Sequence, residues 1–316
     1  MTYATSACGV CGGVAEPTVV GSERMMGLGG EYRYDMCGEC GCLQLRDVPA
    51  NMAPFYASGY YSFAEPVAPS VLRRIYRRLR DSVLLGEARF LLPFVAPVIP
   101  RLVLEPGEWI TRARVGKDSR MLDVGCGNGM LLRRLVDAGF RHASGVDPFV
   151  EADLEYNGQR LVRRATLDQI EGGFDLIMFH HSLEHIADQV ATMASVARML
   201  TPDGTCLIRV PIVGSFAWEQ YQDRWVQLDA PRHLFLHSPE SMRRLAEGAG
   251  LRIETIVHDS TAFQFEGSEL YRRDLPLKDM GLHPSSRAQR ARYAAQATRL
   301  NAQGRGDQAA FYLRRA

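Results

Sequence analysis

Short apolar runs alternate with amphipathic stretches through the central half of the chain. The runs are rich in Val, Ile, Leu and Phe and are bounded by Gly, Asp or Pro, which is typical of buried β-strands. In the stretches between them, apolar residues recur at three- and four-residue spacing, which indicates helices that bury one face. This alternation predicts an α/β fold, with a doubly wound, mostly parallel sheet and helices on both faces. The predicted strands are RMLDVG, HASGVD, RLVRRA, FDLIMF, TCLIRVP and RIETIV, and the predicted helices include GMLLRRLVDAG, DQVATMASVARML and SPESMRRLAEGAG.

The same pattern divides the chain into four parts. Residues 1–46 contain short strand patterns separated by Gly turns, and residues 116–270 contain the strand–helix alternation. Residues 47–115 form a helical connecting region, and residues 271–316 form an Arg-rich tail that we predict to be helical. The 316 residues are enough for one large domain and a small one.

An amphipathic helix with a basic face is predicted within the connecting region. In VLRRIYRRLRDSVLLGEARFLL, apolar residues recur on one face and arginines fill the other. The pattern is typical of a docked helix with a solvated face, and it also fits a surface that meets anionic lipid or a phosphate-bearing substrate. The apolar segment that follows is short for a membrane span and contains three prolines. Peripheral membrane contact through residues 71–104 therefore stays open as an alternative.

Composition and charge are those of an ordinary soluble globular protein. Hydrophobic residues make up 46% of the chain and charged residues 23%, and the formal net charge is +1. This balance creates no global field that would attract nucleic acid, and residues 1–46 contain only three basic side chains, Arg24, Arg33 and Arg46. The first residues lack the basic start and apolar core of a signal peptide. We therefore expect a cytoplasmic protein, and the composition argues against a nucleic-acid partner.

Four cysteines form two closely spaced pairs near the N-terminus. Cys8 and Cys11 make one C-x2-C motif, and Cys37 and Cys40 make the other. A glycine follows each pair, and glycine permits the positive φ of a turn that brings two thiolates to one ion. Two such pairs predict a closed tetrahedral Zn2+ site, so we interpret the N-terminal part as a zinc ribbon. Four free thiols are the alternative, and Cys42 is close enough to replace Cys40 as a ligand.

The stretch MLDVGCGNGM joins the first predicted strand of the α/β region to its first helix. Gly125 and Gly127 let the backbone pass close to a ligand, and Gly129 lets the helix begin against the strand. Met130 stands where a dinucleotide fingerprint has its last glycine, and no Gly-Lys-Ser/Thr follows, so neither that fingerprint nor a P-loop is met. Asp147 ends the second strand, where an acid accepts both hydroxyls of a ribose or, alternatively, caps a turn. The pattern predicts a nucleoside-type ligand without a pyrophosphate.

The motifs LDVGCGNG, GVD and FDLIMFHHSLEHIAD, in this order, resemble the class I S-adenosylmethionine-dependent methyltransferases. The resemblance covers residues 119 to about 265. It implies a Rossmann-like fold with a seven-stranded sheet and S-adenosylmethionine as the methyl donor. The segments QLDAPRHLFLHSPESMRRLAEGAGL and FQFEGSELYRRDLPL are similar to a bacterial subgroup that carries an N-terminal ribbon. Many members of that subgroup modify polysaccharides, sugars or natural products.

The resemblance also implies where the cofactor lies. The glycine turn would hold its methionine part, the end of the second strand its ribose, the segment after the third strand its adenine, and the end of the fourth strand its sulfonium. The residues around the methionine part are Asp123, Gly125, Cys126, Gly127, Asn128 and Gly129, and those at the ribose are Asp147 and Pro148. Thr166 and Leu167 would flank the adenine, and His180 and His181 would lie next to the sulfonium.

Two histidines are candidates for the general base that a hydroxyl acceptor needs, because imidazole has a pKa near neutrality. His181 ends the fourth strand, and His233 lies in the loop DAPRHLFLHS. In the same loop, Asp229 is placed to orient the imidazole of His233, and Arg232 is placed to hold an anionic acceptor such as a phosphate-linked sugar. An amine or carbon acceptor would need no such base.

From these residues we predict a methyltransferase that acts on a sugar hydroxyl of a surface glycan or a nucleotide-linked sugar. The aromatic residues of FAWEQYQDRW either stack on a sugar ring or form a packed lid. Three alternatives stay open. They are a C-methyltransferase for a sugar or natural product, an RNA methyltransferase whose ribbon holds RNA, and a non-catalytic protein that binds S-adenosylmethionine.

Overall fold

The computed structural model describes residues 5–56 and 107–316. The predicted basic helix, and with it the segment considered for membrane contact at residues 71–104, lies outside the described residues. Among the helices that are described, none is both long and apolar enough to cross a bilayer. The described residues therefore comprise the N-terminal part and the α/β region with its tail.

Two sheets contain the described strands. One has five strands in the order β1-β2-β3-β4-β11, and the other has eight in the order β12-β13-β10-β9-β5-β6-β8-β7. The strands are β1 (Ser6–Ala7), β2 (Val14–Glu23), β3 (Gly29–Cys37), β4 (Leu43–Leu45), β5 (Arg120–Val124), β6 (His142–Val146), β7 (Leu154–Tyr156), β8 (Gln159–Arg163), β9 (Phe174–His180), β10 (Leu200–Pro211), β11 (Phe235–Leu236), β12 (Leu251–His258) and β13 (Gln308–Arg315).

The eight-stranded sheet confirms the predicted Rossmann-like architecture. Strands β8, β6, β5, β9 and β10 pair in parallel, and all six strands predicted from the apolar runs are present. The short strand β7 pairs antiparallel with β8 and adds an eighth strand at one edge. Successive side chains of β9 alternate between the two faces, so Ile177 and Phe179 lie in one core while Leu176 and Met178 lie in the other.

Seven α-helices are described, and four of them cover the two faces of the large sheet. Ile110, Leu132 and Leu135 come from the first two and pack on one face, whereas Met193 and Leu245 pack on the other. The helices are α1 (Gly107–Ala113), α2 (Met130–Asp137), α3 (Gln189–Met199), α4 (Phe216–Tyr221), α5 (Pro239–Gly248), α6 (Phe263–Arg272) and α7 (Arg287–Ala302). Short side chains cap four of their N-termini, where they accept otherwise unpaired backbone amides: Asp188, Ser215, Ser238 and Ser286.

The C-terminal part changes the predicted domain boundary. Residues 271–316 were predicted to form a helical tail, and α7 is indeed helical, but the chain ends in β13. This strand inserts antiparallel between β10 and β12, inside the large sheet. The boundary at residue 270 is therefore wrong, because the last strand of the sheet comes from the tail and completes the core.

The N-terminal sheet also extends beyond its predicted limit. Strand β11 comes from the loop DAPRHLFLHS and pairs antiparallel with β4, through Phe235 opposite Gln44 and Leu236 opposite Leu43. In addition, Leu45 donates its backbone N–H to the carbonyl oxygen of Leu234 at 2.8 Å. The N-terminal part is thus not a separate module, since residues from the middle of the chain complete its sheet.

The position of β13 predicts unequal effects of two substitutions within the predicted tail. Phe311 is fully buried, whereas Leu282 is 76% exposed. Phe311→Ala should lower the free energy of unfolding by about 3–5 kcal/mol, because it removes a large buried ring. Leu282→Ala should change it by less than about 0.5 kcal/mol. Urea unfolding measures both, and equal losses would contradict the placement of β13 in the core.

Candidate active site

A cavity of about 600 Å3 opens at the carboxyl edge of the parallel strands. Its wall contains residues that end or follow β5, β6, β8 and β9. The neighbouring strands β5 and β9 lie on either side of the point where the order of the sheet reverses, which is where doubly wound folds bind ligands. The predicted cofactor residues on this wall are Gly125, Asp147, Pro148, Thr166, Leu167 and His181.

The glycine turn after β5 keeps the backbone open to the cavity. Gly125 has a φ of +73°, and a Cβ at this position would lie only 2.5 Å from the Cβ of Ser182. Ser182 is itself fixed, because its hydroxyl donates to the carbonyl oxygen of Val124 at 2.6 Å. A Cβ on Gly129 would lie 2.8 Å from Val162, so the start of α2 does press against the neighbouring strand. A side chain at either glycine would therefore displace the turn.

Asp147 lies on the cavity wall and is held by the backbone. One carboxylate oxygen accepts the N–H of Gly127 and the other accepts the N–H of Phe149, both at 2.9 Å. A carboxylate oxygen has more than one lone pair, so each oxygen can accept a further hydrogen bond from a ligand hydroxyl. The two amide bonds also fix the carboxylate in one orientation, which suits a pair of neighbouring hydroxyls.

Asp123 lies beneath the same turn and is almost fully buried. Its Oδ1 atom has no hydrogen-bond partner among the described residues. Burial, followed by the nearby charge of Asp147, raises the pKa of Asp123 to about 8. A buried carboxyl without a partner is costly, and a positively charged ligand group next to it would offset that cost. This observation fits the expected position of the methionine part of S-adenosylmethionine, which carries an ammonium and a sulfonium.

Besides Asp123, five expected cofactor residues do not line the cavity: Cys126, Gly127, Asn128, Gly129 and His180. Cys126, Gly127 and Asn128 form the turn itself, where Asn128 accepts the backbone N–H of Met130 through its side chain. The ring of His180 packs 5.1 Å from the ring of Trp109. His181, the next residue, is on the wall instead, with a φ of +54° that is unusual for a side chain with a Cβ.

A cluster of three imidazoles surrounds one buried carboxylate behind the cavity wall. Glu184 is fully buried, and its Oε1 atom lies 3.4 Å from Nδ1 of His181 and 4.0 Å from Nε2 of His233. His185 lines the cavity, and its ring lies 4.8 Å from the ring of His233. We call Glu184, His181, His185 and His233 the histidine–glutamate cluster. The neighbouring imidazoles lower the pKa of Glu184 to about 2 against the opposing effect of burial.

His181 lies on the cavity wall, and its Nδ1 atom is 3.4 Å from Oε1 of Glu184. His233 is only 6% exposed and does not line the cavity. Its Nδ1 atom donates to the carbonyl oxygen of Gln227 at 2.8 Å, and burial lowers its pKa to about 4. Asp229, expected to orient this imidazole, has its Oδ2 atom 3.8 Å from Nε2 of His233, beyond hydrogen-bond distance.

The position of Arg232 corrects its expected role. We expected its guanidinium to hold an anionic acceptor, but the side chain is fully buried. It forms ion pairs with Glu23 of β2 at 2.8 Å and with Asp229 at 2.6 Å, and it donates to the carbonyl oxygen of Phe55. Arg232 therefore joins the N-terminal sheet to the loop and does not reach the acceptor.

The aromatic residues before the loop are packed. Trp218, Tyr221 and Trp225 are at most 5% exposed and belong to a core shared with the N-terminal sheet. The indole N–H of Trp225 donates to Asp307, and the hydroxyl of Tyr221 donates to Glu269. Of the two interpretations given above, the packed one is correct, and these rings offer no surface for a sugar.

The four N-terminal cysteines come together in space. Their sulfur atoms all lie within 4.8 Å of one another, with Cys8 and Cys40 at 3.6 Å and Cys11 and Cys37 at 3.5 Å. Four thiolates around one Zn2+ lie about 3.8 Å apart, as follows from tetrahedral bonds of about 2.3 Å. The glycine that follows each pair has a positive φ, as predicted: +75° at Gly12 and +68° at Gly41. The donor set and spacing therefore fit zinc.

Comparison with known proteins identifies the class. Residues 94–256, about half of the chain, match the family model described as "Methyltransferase domain". The ubiquinone biosynthesis O-methyltransferase of Aromatoleum aromaticum is 31% identical over 108 residues, which are 31% of this chain and 46% of that protein. The tRNA U34 carboxymethyltransferase of Dichelobacter nodosus is 29% identical over 144 residues, 43% of this chain and 46% of that protein. The match thus spans about half the length of either relative.

A solved structure with a similar chain path is mycolic acid cyclopropane synthase CmaA1, complexed with SAH and CTAB. It is 18% identical, has a TM-score of 0.44, and the match covers 67% of this chain and 86% of that one. The extent of the family match is what decides the class: the chain belongs to the methyltransferase domain family. This confirms the methyltransferase class and the fold that the motifs LDVGCGNG, GVD and HHSLEHIAD predict.

Two residues of the site were missed by sequence reasoning. Glu184 was not singled out, and its burial beside the imidazoles of His181 and His233 is visible only in the structure. Tyr56 lines the cavity, and its hydroxyl lies 3.2 Å from Nδ1 of His185. No local pattern reveals that contact, because the two residues are 129 positions apart.

The raised pKa of Asp123 predicts a pH-dependent effect of Asp123→Asn in the ligand-free protein. In the folded protein the carboxyl of Asp123 keeps its proton up to about pH 8, whereas the ordinary pKa of this group is 3.8. The free energy of unfolding therefore falls as the pH rises from the ordinary pKa to the raised pKa. Asparagine has no proton to lose, so the variant does not show this fall. The gain in unfolding free energy should be about 3–4 kcal/mol larger at pH 8 than at pH 5. Urea unfolding at both values measures it, and a pH-independent effect contradicts the expectation.

Proposed function

We propose that this protein transfers the methyl group of S-adenosylmethionine to a hydroxyl oxygen of its acceptor. The observation that supports the proposal is the composition of one cavity wall. It combines a glycine turn that a side chain would close, the fixed carboxylate of Asp147, and the imidazole of His181 beside a buried carboxylate. The names of the relatives add support, since the Aromatoleum aromaticum protein is named an O-methyltransferase.

Bound S-adenosylmethionine supplies an activated methyl group on a positively charged sulfur. The protein has to align the acceptor with that methyl, to exclude water, and to receive the proton of the hydroxyl. Asp147 binds the ribose, and Thr166 and Leu167 enclose the adenine. His181 receives the proton, and the nearby carboxylate of Glu184, whose Oε1 lies 3.4 Å from Nδ1 of His181, stabilises the positive charge that forms on the ring.

The identity of the molecule that accepts the methyl group is a separate part of the proposal. The sugar hydroxyl expected from the sequence stays a prediction, and the buried aromatic residues remove one of the arguments for it. The relatives are named for ubiquinone biosynthesis and for modification of tRNA U34. We therefore place phenolic hydroxyls beside sugar hydroxyls as acceptors, and a transfer assay with labelled S-adenosylmethionine separates them. The panel comprises sugars, nucleotide-linked sugars, dihydroxybenzoates and tRNA.

Calorimetry with S-adenosylmethionine tests the cofactor first. Asp147→Ala should weaken binding strongly, because it removes both the ribose contacts and the acceptor of two backbone amides. A protein that binds no S-adenosylmethionine, or that binds it equally well without Asp147, is not a methyltransferase of the proposed kind. A protein that binds it but methylates no member of the panel would favour the non-catalytic alternative.

His181→Gln should lower turnover by about 100-fold or more, because the hydroxyl proton then has no acceptor. The affinity for S-adenosylmethionine should remain within a few-fold. The matched control is His142→Gln, which replaces an exposed histidine at the first residue of β6, the opposite end from the cavity. Turnover by His181→Gln as fast as by the control would exclude His181 as the base. The assay uses the best acceptor of the panel.

We further propose that the N-terminal sheet is a zinc ribbon. Cys8, Cys11, Cys37 and Cys40 would bind one structural Zn2+, and the ion would supply folding energy to a part of the chain with a small core of its own. Cys42 is buried next to the four but does not belong to the group whose sulfur atoms converge. It is therefore not a ligand.

Elemental analysis distinguishes the ligands from the extra cysteine. Cys8→Ser and Cys37→Ser should each lose the zinc that the purified protein retains after dialysis, because three thiolates no longer close the site. Cys42→Ser is the matched control and should retain about one zinc per ribbon. Zinc lost from Cys42→Ser, but kept by Cys8→Ser, would show that the assignment of ligands is wrong. Zinc lost from none of the three would overturn the ribbon site.

A further inference from the structure

We propose that Glu184, His185 and His233 bind a divalent metal ion behind the wall of the active-site cavity. The three residues come from two segments, the end of β9 and the loop after α4, and their ligand atoms lie within 4.8 Å of one another. This site is separate from the four cysteines, and it uses nitrogen and oxygen donors instead of sulfur.

The hydrogen bonds of both histidines fix which ring nitrogen is free. Nδ1 of His185 lies 2.8 Å from the carbonyl oxygen of Arg232, and Nδ1 of His233 lies 2.8 Å from the carbonyl oxygen of Gln227. A carbonyl oxygen only accepts, so each Nδ1 carries the proton. In the neutral ring, Nε2 then has a free lone pair. Histidines that bind metals are held in this way, with the second nitrogen donating to a carbonyl or a carboxylate.

A buried carboxylate lies next to these rings, and Nδ1 of His181 is 3.4 Å from its Oε1 atom. Glu184 is fully buried, and neither of its oxygens accepts a hydrogen bond from the described residues. Its Oε1 atom is 4.0 Å from Nε2 of His233, too far for a hydrogen bond. Two donors bound to one metal at about 2.1 Å lie about 3.0–4.2 Å apart, depending on geometry. The space between Oε1 of Glu184 and Nε2 of His233 therefore has the width that an ion requires. Ligand atoms that lie as far apart as 4.8 Å would need to move only slightly towards each other.

The formal charge around the space between Glu184 and the two histidines is negative. The guanidinium of Arg232 is shared between Glu23 and Asp229, and Glu184 is the third carboxylate of the group. One positive charge against three negative charges leaves a formal charge of −2 when the imidazoles are neutral. Both oxygens of Asp229 are already bound to Arg232, so this residue neighbours the site without being a required ligand. A divalent cation would balance the group.

The donors favour a borderline ion such as Mn2+, Fe2+, Co2+ or Zn2+. Two imidazoles and one carboxylate suit these ions better than Ca2+ or Mg2+, which prefer oxygen alone. Three protein ligands leave a coordination position open, and His185 is the ligand on the cavity wall. If the proposed methyl transfer is correct, this position would receive an oxygen of the acceptor, next to His181. The metal site itself does not depend on that reaction.

The experiment measures binding of Mn2+ to the full chain by electron paramagnetic resonance, with no more than one zinc per chain, which the four thiolates bind in preference to nitrogen and oxygen donors. Mn2+ prefers nitrogen and oxygen donors and so does not report the cysteine site. The wild type should bind about one Mn2+ per chain, and the ion should raise its Tm by several degrees. Glu184→Gln and His233→Gln should each weaken binding by at least about 10-fold, the usual minimum for loss of a ligand. The matched control, Glu151→Gln, replaces an exposed carboxylate elsewhere and should bind as the wild type does.

Three outcomes decide the proposal. Weak binding by both variants with normal binding by the control supports the site. Equal binding by all four proteins shows adventitious surface sites and overturns it, as does the absence of binding by the wild type. Should Glu184→Gln fail to fold, His185→Gln is used in its place, and circular dichroism confirms that it is folded. None of these measurements uses S-adenosylmethionine or turnover, so failure of the metal site is distinguishable from failure of the methyltransferase proposal.

Discussion

The buried guanidinium of Arg232 is the contact on which the arrangement of the molecule depends. It lies between Glu23 of the N-terminal sheet and Asp229 of the loop, and it also donates to the backbone of Phe55. Glu23 in turn accepts the backbone amides of Met26 and Leu28. Removing one partner of such a buried group leaves an uncompensated charge and costs about 3–5 kcal/mol. The N-terminal sheet is thus locked to the α/β region by charge as well as by β11.

This junction explains why the active-site loop can position its histidines without being part of a regular element. Tyr34 of β3 donates its hydroxyl to the carbonyl oxygen of His233 at 3.0 Å, and Ser238 donates to the carbonyl oxygen of Cys40 at 2.6 Å. The loop is held on one side by the N-terminal sheet and on the other by Glu184, whose carbonyl oxygen accepts the N–H of Leu234. The turns that contain Cys37 and Cys40 therefore help to position this loop.

The parts that sequence predicts correctly are those set by local rules. The strands follow from apolar runs, and the glycines at positions 12, 41 and 125 follow from the geometry of turns, where a positive φ favours glycine. Asp147 follows from its distance to the first turn. The errors concern pairing at long range. The segment that forms β13 gives no sign that it inserts between β10 and β12, and two residues of a loop gave no sign of becoming β11. Arg232 was misjudged for the same reason, because its partner Glu23 is 209 positions away.

Two buried carboxylates have oxygen atoms without a hydrogen-bond partner among the described residues, and this connects the fold to the proposed chemistry. Asp123 has an oxygen without a partner, and Glu184 has two. Folded proteins rarely keep such groups, because burying an unpaired acid is costly. Here both lie at the edges of one cavity, one under the glycine turn and the other behind His181. The site is therefore electrostatically incomplete as protein alone, and each acid specifies a cationic ligand. The charged end of S-adenosylmethionine matches the first, and a metal ion matches the second. Both acids therefore favour a cationic ligand, because a nearby positive charge stabilises the ionised form of each carboxyl.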